Sequence, residues 1–173
     1  MPPLAIRYAD YAAWHADRLG AGERNRQLGY WKGRLGGQPV VLELPWDRPR
    51  PVVHSHRGGA VPFMLDGPLA TSLRGIALAA QTTMFAVLLA AFQTLLYRYT
   101  GQRDVRVGVP VANRGSVETE GLIGCFINTI VVRTDVDGSM PWDALLRRLH
   151  QTVRESQQYQ DLQIGRASCR ERV

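Results

Sequence analysis

Asn128 and Thr129 interrupt an apolar run, with Cys125-Phe126-Ile127 before them and Ile130-Val131-Val132 after. A buried amide left without a partner costs roughly 1–3 kcal/mol. Asn128 therefore either bonds a neighbouring backbone group or lines a cavity, where it would hold a substrate or a catalytic side chain. A second polar step closes the stretch Gly108-Val109-Pro110-Val111-Ala112 at Asn113-Arg114. Against these two clusters the other reactive residue types carry little. His54-x-His56 could in principle ligate a metal, but no third ligand sits near in sequence, so the pair is expected to face solvent and no metal site is expected. His15, beside Trp14, is expected to be partly buried, and His150 to lie on the surface. Cys125 sits in an apolar stretch with no histidine beside it, which suits a small core residue and not a nucleophile. No Gly-x-Gly-x-x-Gly, phosphate-binding loop or Cys-x-x-Cys is present.

The elements that would position these groups follow from hydrophobic periodicity. Tyr8 to Leu19 reads as a short helix with Tyr8, Tyr11, Ala12 and Leu19 near one face, broken by Gly20 and Gly22. Glu23 to Leu35 reads as a second, with Leu28, Trp31 and Leu35 spaced i, i+3, i+7 and Gly36-Gly37 ending it. Residues 38–58 carry Pro39, Pro45, Pro49 and Pro51 and predict an extended, ordered connector, with Val40-Val41-Leu42 and Trp46 lying against a surface. Ala60–Leu65 predicts a short strand, and Pro68 to Ala80 a helix with proline in its first turn. Thr82 or Thr83 can cap the next helix, whose apolar residues Phe85, Leu88, Leu89, Phe92, Leu95, Leu96 and Tyr99 predict extensive burial before Gly101 stops it. Asp104 to Ala112 alternates as a strand. Gly121 to Thr134 holds another, whose near-continuous apolar run suggests burial on both faces. Trp142 to Tyr159 is a final helix, apolar at Leu145, Leu146, Leu149 and Val153 and basic at Arg147, Arg148 and Arg154. The order β-α-α-β-β-α implies a sheet covered by helices, an α/β or α+β sandwich.

The 173 residues suffice for one domain, and a hydrophobic share of 45% argues against disorder. No apolar run approaches the ~18–20 residues of a membrane span, and the N-terminus lacks the pattern of a secretory signal. Two cysteines, Cys125 and Cys169, argue against a disulfide framework and suit a reducing cytosol. The formal charge of +6 comes mostly from scattered arginines, not from a basic face. The one dense basic stretch lies in Ile164–Val173, which resembles one reading frame of a short-read sequencing adapter, with Gln163 spanning the junction. Residues 163–173 are accordingly expected to be non-native; without the three arginines and one glutamate of Ile164–Val173 the charge falls from +6 to +4. Much of the case for a nucleic-acid partner goes with them, and none is expected, nor is a membrane.

Several stretches in order resemble the motifs of nonribosomal peptide synthetase condensation domains. Tyr8-Ala9-Asp10-Tyr11-Ala12-Ala13-Trp14 is similar to Tyr-x-Asp-Tyr/Phe-Ala-Val-Trp, and Ile123-Gly124-Cys125-Phe126-Ile127-Asn128-Thr129 with Arg133 to Ile-Gly-x-Phe-Val-Asn-Thr-x-x-x-Arg. Gln160-Asp161-Leu162 looks like the start of His/Asn-Gln-Asp-x-Pro-Phe-Glu. Between them, Trp31, Leu42-Glu43-Leu44-Pro45, Asp47-Arg48-Pro49, Arg57-Gly58 and the stretch from Gly108 to Arg114 fall in family order. Cys125 stands where the family more commonly has Phe. The match to Ile123–Thr129 also argues against the related epimerization domains.

The resemblance implies part of a two-lobed, chloramphenicol-acetyltransferase-like fold over residues 1–162: the end of the N-terminal lobe, a connector, and the start of the C-terminal lobe. In that family a tunnel between the lobes admits two carrier-protein-bound thioesters, and the downstream amine attacks the upstream acyl group to form an amide. A His-His-x-x-x-Asp-Gly motif, which positions the amine or takes its proton, is absent here, so no residue of this chain is assigned as catalytic and the segment alone is expected to be inactive. Asn128, Thr129, Gly124, Arg57, Arg114 and Asn113 are expected to line or support the tunnel. Asn128 would hydrogen-bond near the reacting groups, and Arg57, with Arg114 second, would pair with the missing motif's aspartate. No cofactor is expected in the domain itself, since phosphopantetheine is carried by the partner carrier proteins. An adjacent adenylation domain and a cytoplasmic location are implied. The competing expectations are a noncatalytic module that docks carrier proteins and a stand-alone acyltransferase of the same fold. Surfaces meant for the rest of the domain would leave apolar area exposed.

Overall fold

The computed structural model describes residues 6–37, 41–49, 51, 53 and 57–163. Among them the order is α1 (Tyr8–Arg18), α2 (Ala21–Leu35), α3 (Gly67–Ala79), α4 (Met84–Thr100), β1 (Asp104–Val111), a 3-10 turn (Val117–Thr119), β2 (Asn128–Asp135) and α5 (Trp142–Gln158). β1 and β2 form a two-stranded sheet. Gly108 faces Thr129, and the Val136 amide donates to the Arg103 carbonyl at 2.8 Å, so the strands run antiparallel. Residues 164–173, with the adapter-like stretch, and His54-x-His56 lie outside the described residues.

The helix ends are set by local chemistry. Asp66 caps α3, its carboxylate accepting the Leu69 amide at 2.8 Å, with Pro68 in the first turn. The Thr83 hydroxyl caps α4 by accepting the Ala86 amide at 3.2 Å. Gly101 ends α4 at φ 69°, a left-handed conformation in which glycine carries no Cβ penalty.

The chain divides into two compact units. Of the described residues, the first combines 6–37, 106–133 and 152–163. Here the buried face of α2 is Gln27 and Trp31, four residues apart, not the stripe centred on Leu28, Trp31 and Leu35. Leu122, Phe126, Ile130 and Val132, and Val153 of α5, complete the apolar core. β2 buries alternate residues, with Asn128, Val131 and Arg133 half-buried, so it does not have the two fully buried faces expected from its composition. It also begins later than expected. Cys125 precedes it and is exposed, because the chain there bends around the ring of Tyr8 and does not run on as strand.

The second unit combines the described residues among 41–105 with 134–151 and holds α3 packed on α4. Its α5 segment buries Leu145, Leu146 and Leu149, as their spacing predicts. His150 is half-buried, with Nδ1 2.6 Å from the Thr82 hydroxyl, and not the surface residue expected. Residues 60–65 form no strand and are exposed throughout; nothing pairs their backbone into a sheet among the described residues. The connector before them forms no helix or strand over 41–46, and Gln102 reads its backbone, donating to the Val41 carbonyl at 3.0 Å and accepting the Glu43 amide at 2.8 Å. Val41 and Trp46 nonetheless remain more than half exposed.

α4 reverses the usual order of burial. It buries Ala86, Val87, Leu89, Ala90 and Gln93, while Phe85, Leu88, Phe92, Leu95 and Tyr99 are 41–64% exposed. The exposed residues recur at intervals of three and four and make one continuous stripe. Leu69 and Ile76 of α3 are also left more than 40% open. Helices in water place large apolar side chains inward and small ones outward. No single described helix is long and apolar enough to cross a membrane; α3 and α4 together pass that test by composition but are bent by 103°.

Candidate functional site

The Tyr-x-Asp-Tyr and Ile-Gly-x-Phe stretches meet in the first unit. Tyr8, at the first turn of α1, lies on Gly124, and its hydroxyl donates to the Cys125 carbonyl at 2.8 Å. A Cβ at position 124 would stand 2.2 Å from Tyr8 Cδ2, so only glycine allows the ring this close. Phe126, 5% exposed, makes a T-shaped contact with Tyr8 at 5.2 Å and packs on the ring of Tyr11 at 4.7 Å. His15 stacks on Tyr11 at 5.7 Å. Tyr8, Tyr11 and His15 fall at i, i+3 and i+7, so a single face of α1 supplies the whole contact. Burial, then the nearby Asp161 carboxylate, push the Tyr11 phenol above its ordinary pKa.

Arg114 also packs on this cluster. Its guanidinium carbon lies 4.0 Å over the Phe126 ring, and Nη1 donates to the carbonyls of Thr119 and Leu122. One cation thus clamps the turn that leads into Gly124 and covers the aromatic ring behind it. Asn113, just before, takes φ 49°, a left-handed conformation that asparagine tolerates better than most residues. It turns the chain off the end of β1.

Asn128 is bound on both ends of its amide. Nδ2 donates to the carbonyls of Gln160 and Leu162, the latter at 3.1 Å, and Oδ1 accepts the Thr129 amide at 2.8 Å. Gln27, fully buried on α2, grips the same stretch: Oε1 accepts the Leu162 amide at 2.9 Å and Nε2 donates to Asp161 at 3.2 Å. Trp31 Nε1 donates to the Tyr159 carbonyl at 2.9 Å, and the Tyr159 ring stacks on Tyr30 at 4.0 Å and 3°. Arg26 lies 4.6 Å over the Tyr159 ring. Asp161 has His15 at 3.9 Å and Arg18 at 4.0 Å.

Glu23 organises the α2 side of this corner. It accepts from Arg26 at 2.7 and 2.8 Å and from Gln27 at 2.8 Å. Those bonds, Arg26 first, lower its carboxyl from the ordinary 4.5 to about 2. A depressed folded-state pKa gives stability that is present above 4.5 and lost as the pH falls towards about 2. Glu23→Gln is therefore expected to flatten the acid limb of a melting-temperature profile between those values. An unchanged limb would show that the Arg26 and Gln27 bonds do not favour the ionised carboxyl.

The sequence signature of the family described as Condensation domain matches residues 1–167. The chain belongs to the condensation-domain family. It is 46% identical over 159 residues to one of the linear gramicidin synthase proteins of Brevibacillus parabrevis, covering 92% of this chain and 3% of that protein. It is 46% identical over 166 residues to phosphinothricin tripeptide synthetase PhsB of Streptomyces viridochromogenes, covering 96% of this chain and 14% of that protein. Among solved structures, the X-domain from teicoplanin biosynthesis superposes with a TM-score of 0.85 at 32% identity, covering 96% of this chain and 38% of that one. The SgcC5 protein of Streptomyces globisporus gives 0.78 at 28% identity over the same shares. The fold is thus the chloramphenicol-acetyltransferase-like fold of condensation domains, and this chain spans about two fifths of the structures it matches.

Within the condensation domain, the expected site residues do not form one constellation. Gly124 and Arg114 belong to the aromatic cluster on Phe126. Asn128 and Thr129 belong to the corner at 159–162, with the Thr129 side chain exposed. Arg57 is exposed in the second unit. Arg133 of the family motif donates to the Arg34 carbonyl at 2.6 Å, near the negative end of the α2 dipole. Sequence reasoning missed Gln27, Tyr30, Trp31's indole bond and Tyr159. The spacing of Gln27, Trp31 and Arg34 at i, i+4 and i+7 is the signal that would have found the first of them.

Proposed function

We propose that this chain is the wall and support of a condensation domain that joins two carrier-bound thioesters through an amide bond. The observation that supports it most is the packing of Tyr8 and Tyr11 on Gly124 and Phe126, which unites two separate family motifs in one body. The relatives at 46% identity carry the names of a gramicidin synthase and a tripeptide synthetase. In the complete domain the acyl donor would arrive as a thioester on the phosphopantetheine arm of one carrier protein, and the amine on that of another. The domain itself would hold no cofactor. A parent synthetase with an adenylation domain next in line, working in the cytoplasm, fits this chemistry. Arg57 is proposed to pair with an aspartate contributed from outside this chain, holding the loop that carries the base. No residue of this chain takes the proton. The remainder of the same domain is proposed to cover the exposed stripe of α4, since this chain spans 38% of the structures it matches.

Mixing the complete domain with two loaded carriers, and following the acceptor by intact-protein mass spectrometry, tests the activity. The expected result is transfer of the donor acyl group to the acceptor amine. Transfer from coenzyme A to a free amine, with carriers ignored, would make it a stand-alone acyltransferase. Carrier binding without transfer would make it a docking module.

A further inference from the structure

We infer that Asn128 is a positioning residue that, with Gln27, fixes the backbone of Gln160–Leu162, and that it donates no hydrogen bond to substrate. The amide has two hydrogens on Nδ2, and both are donated to carbonyls of that segment, Gln160 and Leu162. Its oxygen already accepts the Thr129 amide at the start of β2. No donor remains for a reacting group, and the second lone pair of the oxygen is all that the amide has left. Gln27 completes the grip from the other side by accepting the Leu162 amide, and it is fully buried, so it has no access to a carrier-bound substrate. The two amides therefore satisfy three backbone groups in a stretch of three residues that follows the end of α5 and belongs to no helix or strand. A backbone without secondary structure must find partners elsewhere, and side-chain amides supply both donor and acceptor. The Trp31 indole and the Tyr30–Tyr159 stack anchor the residue just before.

This assignment deepens the proposed reading of the site and rests on it only where turnover is measured; the structural readout stands without it. In the complete domain, Asn128→Ala and Gln27→Met are each expected to speed hydrogen exchange at the Leu162 amide by about tenfold, through local loosening of one corner. Both should lower kcat to a similar extent and leave KM for the loaded carriers unchanged. The double variant should be no slower than the worse single one, because the two side chains act on one segment. Loss of turnover in Asn128→Ala alone, with exchange at Leu162 unaltered and Gln27→Met fully active, would overturn the proposal in favour of a substrate contact. If Asn128→Ala does not fold, the wild-type domain decides. The Asn128 side-chain NH2 should be protected from solvent exchange without substrate and unmoved on adding a loaded carrier; protection that arises only with the carrier contradicts it. A domain that forms no amide, yet shows the exchange changes, removes the proposed activity and leaves the positioning role intact.

Discussion

Gly124→Ala is expected to destabilise the domain by about 1–3 kcal/mol, the usual cost of forcing a methyl into a filled space. The added Cβ would lie 2.2, 2.6 and 2.8 Å from three carbons of the Tyr8 ring. The ring cannot yield cheaply. Moving it breaks the hydroxyl bond to the Cys125 carbonyl and the T-shaped contact with Phe126. Because Tyr8 is 37% exposed, its escape route is into water, and the loss is that of the aromatic contact and one hydrogen bond. The cost should therefore depend on Tyr8. In a Tyr8→Ala background, Gly124→Ala should cost much less, and the coupling measured by denaturant titration should approach the single-variant loss. Equal cost in both backgrounds would mean that something other than the Tyr8 ring constrains position 124.

Phe92→Asp is expected to cost the complete domain more than about 3 kcal/mol, enough to unfold many domains, since a carboxylate would enter an apolar interface without a partner. In this chain Phe92 is 45% exposed on a stripe that runs from Phe85 to Tyr99. Here the same substitution would meet water and change stability by about 0.5 kcal/mol or less. The difference between the two contexts measures what the rest of the domain contributes to that face. An unmoved melting temperature in the complete domain would show the stripe to be open there as well.

Much of the fold was legible because its signals are local. Thr83 and Gly101 mark the two ends of α4, and the spacing of Leu145, Leu146, Leu149 and Val153 gives the buried face of α5. What failed depends on partners remote in sequence. The periodicity of α4 gives an apolar face but not what covers it, and the inner position within this chain goes to Ala86, Val87, Leu89, Ala90 and Gln93 instead of the aromatic stripe. Residues 60–65 have strand composition, yet a strand needs a neighbour, and none pairs with them among the described residues. Cys125 and Phe126 look alike in an apolar run; the close approach of Tyr8, from the other end of the sequence, to Gly124 separates an exposed thiol from a buried ring. Asn128 stands out in the sequence as a polar group needing partners. Its choice between backbone and cavity required the position of Gln160–Leu162, which only the fold supplies.

The most direct test of the central claim uses this sequence itself. Residues 6–162 would replace the corresponding segment of a peptide synthetase condensation domain of known activity, leaving that domain's own His-His-x-x-x-Asp-Gly motif in place. Amide formation between two loaded carriers would then be followed by mass spectrometry. The expected result is a folded chimaera that still joins donor to acceptor, because this segment supplies wall and support and not the base. A chimaera that folds and binds both carriers but forms no amide, with the host motif intact, would contradict it.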